Sequence, residues 1–190
     1  MGWELEDVEK PFVTHLQGLG WTHIEGSIDD PVVTGRGSFT EVIQEGVLRK
    51  KLAEINLREV DGALVPWLDD ERLSEAVAAI TRIARPKLIE ANQAATELLL
   101  LGITVDGLPG WDGGRGQTIR FIDWDTPENN SFTVVNQYRV DCPPGYNSGK
   151  AFIVPDLVLL VNGIPLVVVE CKSPSLPEPL AEAIDQLRRY

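Results

Sequence analysis

Leu166-Val167-Val168-Val169-Glu170-Cys171-Lys172 is the stretch on which the reading of this chain turns. Four apolar residues, three of them β-branched, make a short continuous hydrophobic run of the kind found in buried strands. The run leads straight into an acid and a base. Side chains alternate along a strand, so Glu170 and Lys172 share one face and Cys171 takes the other. Charge at the end of a buried strand is costly unless it is paired or bound to a metal. Nowhere else in the 190 residues is an acid followed two positions later by a lysine.

Upstream, Pro155-Asp156 opens a second apolar run, Leu157 to Val161, and Asn162-Gly163 joins the two runs as a hairpin. A strict two-residue turn pairs Val161 with Ile164 and Asp156 with Val169, which sends Asp156 and Glu170 to opposite faces. A three-residue loop over 162–164, or a bulge with the same effect, pairs Asp156 with Glu170. Two carboxylates at one hairpin end suit a single Mg²⁺, a hard cation that prefers oxygen ligands. Such an ion polarises a phosphate and acidifies a water, and a neighbouring lysine orients that water or offsets developing charge. The grouping therefore points to phosphodiester hydrolysis, with Asp156, Glu170 and Lys172 as candidate catalytic residues, and it requires the longer loop or the bulge. The bland alternative for Glu170 and Lys172 is a partly buried ion pair.

Outward from the hairpin, the chain reads as helical first and β-rich later. Phe12, Leu16 and Leu19 recur at helical spacing before Gly20, a stop signal. Ser38-Phe39-Thr40-Glu41 fits a capping box and predicts a helix over 38–56, with Phe39, Ile43, Val47 and Ile55 inward. A further helix is expected over 70–85, with Leu73, Val77 and Ile80 on one face and Pro86 as a breaker. Another is expected over 88–101, ending at Gly102. Residues 107–116 are loop by composition. Strands are expected over 117–124 and 131–140, the second with Phe132, Val134, Tyr138 and Val140 alternating onto one face. A last helix begins near Pro179 with Leu180, Ile184 and Leu187 on one side. It carries Gln186 and Tyr190, an i, i+4 pair on the face next to the hairpin end.

Composition bounds the reading. The chain is 43% hydrophobic and 24% charged, ordinary for a globular domain. No apolar run reaches the roughly 18–20 residues that span a bilayer, and the acidic N-terminus lacks the order of a signal peptide. Cys142 and Cys171 give neither a disulfide framework nor a zinc spacing, so a reducing cytoplasm is expected. The formal net charge of −12 argues against a stand-alone nucleic-acid binder, because phosphate contacts need Lys and Arg. Either basic residues gather locally around an acidic cleft, or a partner supplies most of the grip on DNA.

These residues resemble the N-terminal nuclease region of the restriction (R) subunit of type I restriction–modification enzymes, within the PD-(D/E)xK nuclease superfamily. The resemblance is sharpest at Phe121-Ile122-Asp123-Trp124, Pro127-Glu128-Asn129-Asn130, Val134-Val135-Asn136-Gln137, Pro155-Asp156 and the hairpin through Lys172. Gln186-Leu187-Arg188-Arg189-Tyr190 looks like that family's Q-x-x-x-Y motif. Gly20-Trp21 and the helix expected over Glu41–Asn56 look like its N-terminal segment.

The resemblance implies an α/β fold, a mixed β-sheet flanked by helices, with a helical N-terminal segment (1–86) before the nuclease core (87–190). It implies Asp156 and Glu170 as metal ligands together with the Cys171 backbone carbonyl, Lys172 as the catalytic lysine, and Gln186 and Tyr190 as an accessory pair near DNA. Nucleases of this class often add an acid from the first helix of the core, for which Glu90 and Glu97 are candidates. The implied function is Mg²⁺-dependent endonuclease action on unmodified foreign double-stranded DNA, within a complex that includes methylation and specificity subunits. An ATP-driven translocase would follow the nuclease, and the stop at Tyr190 reads as the edge of a larger polypeptide.

Several features keep ordinary explanations. Residues 145–150 (Gly-Tyr-Asn-Ser-Gly-Lys) fall one residue short of a Walker A loop and read as plain loop. Ile153-Val154 stand before Pro155 where many relatives carry a basic residue. His15 and His23 read as having no paired acid or nucleophile nearby, the five tryptophans are scattered, and Asp69-Asp70-Glu71 is a helix N-terminus favoured by the helix dipole. A non-cleaving module that keeps the fold and docks onto partner subunits or DNA is the competing function. The intact Asp156, Glu170 and Lys172 weigh against it. A different nuclease or recombination enzyme with the same core is the third reading, disfavoured by the 121–130 stretch.

Overall fold

The computed structural model describes residues 5–84, 87–143, 151–173 and 177–188, except the side chain at 112. The loop 145–150, Arg85-Pro86 and Tyr190 lie outside the described residues. Two compact units are formed, residues 1–44 with 131–190, and residues 45–130.

The first unit is built on a four-stranded mixed sheet. Its strands are β1 (Thr22–Glu25), β6 (Phe132–Asn136), β9 (Leu157–Val161) and β10 (Ile164–Val169), lying side by side in that order. β1 runs parallel to β6, and β6–β9 and β9–β10 are antiparallel. The central strands are buried on both faces, as their continuous apolar sequences require. On one face Val134, Leu157, Leu159 and Cys171 pack with Val13 and Leu16 of helix α1 (Lys10–Gly18). On the other, Val135, Val158 and Leu160 pack with Tyr138. A short β7 (Val140–Asp141) and β8 (Phe152–Ile153) pair outside the sheet, and α5 (Pro179–Leu187) follows β10.

The second unit holds α2 (Glu45–Ile55), the hairpin β2 (Leu57–Val60) and β3 (Ala63–Pro66), α3 (Asp70–Thr81), α4 (Leu88–Leu101), and the pair β4 (Ile103–Val105) and β5 (Gln117–Ile119). Asp69 caps α3 by accepting from the Arg72 amide, and α4 ends at Gly102 with φ 73°.

The mixed α/β class is the one expected, and several local expectations are corrected. α1 buries Val13 and Leu16, whereas Phe12 and Leu19 are exposed. The helix expected over 38–56 starts only at Glu45, and its buried residues are Leu48 and Leu52. The cause is Arg36, whose guanidinium is buried against the Tyr138 ring and donates hydrogen bonds to Thr34 Oγ1 and the carbonyls of Glu41 and Arg139. Gln44 adds a backbone bond to Gly163. With those groups committed, 37–44 cannot coil, and tertiary contacts override the capping signal. The strand expected over 117–124 ends at Ile119. The one expected over 131–140 breaks at Gln137, whose positive φ of 50° turns Tyr138 and Val140 to the face opposite Val134. β1 was not expected at all in the helical opening segment.

Candidate active site

The β9–β10 hairpin decides where the acids go. Asn162 and Gly163 both have positive φ, 52° and 80°, the tight turn that matches strand twist. Ile164 pairs with Val161 and Pro165 with Leu160, the strict two-residue arrangement. Leu166 is then an extra residue, because Val167 stands opposite Leu159 and Val169 opposite Leu157. Asp156 and Glu170 are the next residues beyond this last pair, Val169 with Leu157. The bulge thus reverses the parity of the tight turn, which is one of the two solutions that the chemistry demanded. Pro165, unable to donate to a ladder, sits at this irregularity as prolines in sheets do.

Beyond the last pair the strands are tied by side chains. Asp156 Oδ2 accepts the Cys171 backbone N–H at 2.7 Å. The Glu170 side chain is fully buried, and its Oε2 lies 3.6 Å from Lys172 Nζ. Lys172 Nζ donates to Gln186 Oε1 of α5 at 2.7 Å. The structure therefore brings Asp156, Glu170, Lys172 and Gln186 to one end of the hairpin. The Cys171 side chain points the other way, into the α1 cluster. Burial first, then the charges of Asp156, Glu9 and Glu170, push its thiol up to about 12, so it stays a neutral buried sulfur.

A carboxylate overlooked in the sequence stands close by. Glu9 ends a single π-helical turn (Leu5–Glu9) that runs into α1, and it is only 6% exposed. Such turns often occur at functional sites. Burial raises its carboxyl above the ordinary range. Hydrogen bonding to Asn136 opposes this, and the negative charge of Asp156 adds to it. The signal was present in the sequence. Glu9, Val13 and Leu16 recur at i, i+4 and i+7, which puts an acid on the buried stripe of a helix. The helix acids weighed from the sequence, Glu90 and Glu97, both lie on α4 in the other unit. There Glu90 pairs with Lys87 at 3.4 Å, and Glu97 lines a cavity with Arg82 and Leu101.

Asp156, Glu170 and the Cys171 carbonyl offer only oxygen donors, and a wholly buried carboxylate beside a lysine is the chemistry that a hard divalent cation suits. Among the described residues no three Asp, Glu, His or Cys side chains gather closely enough to hold a metal by themselves. A backbone carbonyl and groups from the substrate would have to complete the shell. No described helix is long and apolar enough to cross a membrane.

The profile of the family described as "Type I restriction enzyme R protein N terminus" matches residues 4–190. The type I restriction enzyme HindI endonuclease subunit of Haemophilus influenzae is 30% identical over 187 residues, 97% of this chain and 16% of that protein. A Methanocaldococcus jannaschii protein provisionally named the type I restriction enzyme MjaIXP endonuclease subunit is 28% identical over 180 residues, 94% of this chain and again 16% of the relative. The chain thus spans about a sixth of the length of the relatives it matches.

Proposed function

This chain belongs to the type I restriction enzyme R protein N-terminal family, and from that premise we propose that it is the DNA-cleaving region of a type I restriction endonuclease subunit. The bulged hairpin supports the reading, because Asp156 and Glu170 both follow its last pair and Lys172 Nζ lies 3.6 Å from Glu170 Oε2. Residues 87–190 would carry Asp156, Glu170 and Lys172, and residues 1–86 would add the helical segment, the edge strand β1 and Glu9.

Asp156, Glu170 and the Cys171 carbonyl would hold Mg²⁺, which when bound supplies Lewis acidity at the scissile phosphate and makes a nearby water more acidic. Glu170, wholly buried, gives up no hydration when it takes up a ligand. Asp156 is oriented through Oδ2 by the Cys171 amide, leaving Oδ1 for a ligand. Lys172 is steadied by Gln186 and turns its remaining N–H donors towards the attacking water or the phosphate. Glu9, in the same unit as Asp156, joins Glu90 and Glu97 as a candidate helix acid, and the negative charge of Asp156 helps to raise its carboxyl. Tyr190 is kept as the partner of Gln186 near DNA.

The substrate is double-stranded DNA lacking the protective modification, and the setting is the cytoplasm. Methylation and specificity subunits would be the partners, and ATP would act only in motor domains elsewhere in the longer subunit. The test is made in that subunit, assembled with its partners. Asp156→Ala, Glu170→Ala and Lys172→Ala should each abolish double-strand cleavage without preventing assembly. Cleavage that survives in all three would favour a docking role instead.

A further inference from the structure

Val134-Val135-Asn136-Gln137 carries part of the resemblance, yet none of its side chains has a part in the proposed metal site. Gln137 follows β6 directly and has a positive φ of 50°. Left-handed backbone is ordinary for glycine and tolerated by Asn and Asp, but it is uncommon for Gln. Among the described residues two other non-glycine positions share it, Asp61 and Asn162. Both are turn-forming types that precede a glycine between paired strands. Gln137 precedes Tyr138 and lies in no such turn. Local turn chemistry therefore does not account for it, and backbone strain of this kind collects at functional sites.

The backbone of Gln137 is held at both of its polar groups. Asn136 and Leu157 form the last pair of β6 with β9, and one residue on, the Gln137 N–H donates to the Asp156 carbonyl at 3.3 Å. The Gln137 carbonyl accepts the Arg139 N–H at 3.0 Å, and a Cβ on Gly26 would stand 2.9 Å from that same oxygen. Asp156 is thus gripped from two directions, its carbonyl by Gln137 and its Oδ2 by the Cys171 N–H. Because β9 lies between β6 and β10, Gln137 comes to Asp156 from one side and Cys171 from the other. Gln137 is half-buried, and among the described residues nothing hydrogen-bonds its side-chain amide. Neighbouring strands stand about 4.8 Å apart, so a flexible amide one strand from Asp156 is within reach of a DNA backbone bound there.

We propose that Gln137 is a DNA-contacting residue, whose side-chain NH₂ donates to a backbone phosphate next to the one that is cleaved. This rests on the nuclease reading. Glutamine is among the neutral side chains that bond DNA phosphates. In a chain of net charge −12, Arg49, Lys51, Arg72, Arg120 and Arg139 are ion-paired, which leaves room for neutral donors at phosphate. A neutral amide also grips phosphate without the repulsion that a further lysine would exert on a metal ion.

Single-turnover cleavage by the subunit assembled with its partners is the readout, alongside Mn²⁺ binding and thermal unfolding of the 190-residue chain. Gln137→Gly removes the amide and suits the left-handed backbone. It should slow cleavage about fivefold, the scale of one neutral hydrogen bond, while Mn²⁺ affinity stays within about twofold and the melting temperature does not fall. Gln137→Glu keeps the size but sets a carboxylate against the phosphate, and should cleave more slowly than Gln137→Gly. Cleavage by Gln137→Gly at the wild-type rate would overturn the contact. So would a parallel loss of cleavage and Mn²⁺ affinity, since the residue would then act only through the Asp156 backbone. Gln137→Glu as fast as wild type would overturn the donor role even where the glycine variant fails to fold. Cleavage that survives in Asp156→Ala would instead sink the nuclease reading, and this role with it.

Discussion

Lys172 Nζ stands between the Gln186 amide oxygen at 2.7 Å and the buried Glu170 carboxylate at 3.6 Å. Removing the lysine takes away the cation that lies 3.6 Å from a buried carboxylate, so Lys172→Ala should cost about 3 kcal/mol of stability in denaturant unfolding. Glu170→Gln added to Lys172→Met should recover much of that loss, since neither charge then remains. A double variant as unstable as Lys172→Ala would show that the two side chains do not act as a pair. At this scale the sequence was informative where chemistry breaks a pattern. Asp156, Glu170 and Lys172 interrupt apolar runs and so stand out as candidates. Glu9 breaks a helical stripe in the same way, but it hides among Glu6 and Asp7 in an acidic N-terminus and was missed. Asn136 gave no signal, because a polar residue at a strand end reads as solvated until its contacts with His23, Glu25 and Gly26 are known.

The elements differ in how well local rules describe them. Asn162-Gly163 specifies its own turn. The bulge at Leu166 has no local signal and followed only from requiring two acids on one face. Asp61-Gly62 makes a similar turn between β2 and β3, φ 51° and 80°, and was legible but unused. β1 and β6 approach so closely at Gly26 that Gly26→Ala should cost about 2–3 kcal/mol through overpacking, measured by chemical unfolding. A neutral substitution there would contradict the β1–β6 pairing.

The 120–130 loop is organised by Asp123, which accepts from the amides of Asp125 and Thr126 and from Asn129 Nδ2. The Asn129 bond, then the backbone amides, hold its carboxyl below the ordinary value of 3.8. A depressed value in the folded state means stability that is present above 3.8 and lost as pH falls through the folded value. Asp123→Asn should therefore cost about 1 kcal/mol near neutrality. The gap to wild type should close in acid, and a constant gap would show that ionisation of Asp123 is irrelevant.

For the whole molecule, the decisive quantity is charge. The net charge is −12, and many of the basic side chains among the described residues are already committed to partners. Lys10, Arg49, Lys51, Arg72, Arg120 and Arg139 each lie within 2.9 Å of a carboxylate oxygen, and Arg36 is buried. The isolated chain should accordingly bind duplex DNA weakly, with a slope of log affinity against log salt smaller than about 3 in magnitude. A steep slope in a fluorescence anisotropy titration would reveal a phosphate-binding surface that this charge distribution does not predict. Fold class was legible from the order of periodic segments, because hydrophobic pattern survives without knowledge of contacts. Sheet membership was not, since the polar edge strand β1, Thr22–Glu25, owes its place to Asn136 and Gly26 rather than to its own sequence.

The central claim is that Asp156 and Glu170 form one metal centre. Calorimetric titration of Mn²⁺ into the wild-type chain, Asp156→Ala and Glu170→Ala tests it most directly. One specific site in the wild type, lost in both variants, is the predicted result. Equal, weak binding in all three proteins would mean that the ion samples an acidic surface, and would contradict a metal centre at the end of the hairpin.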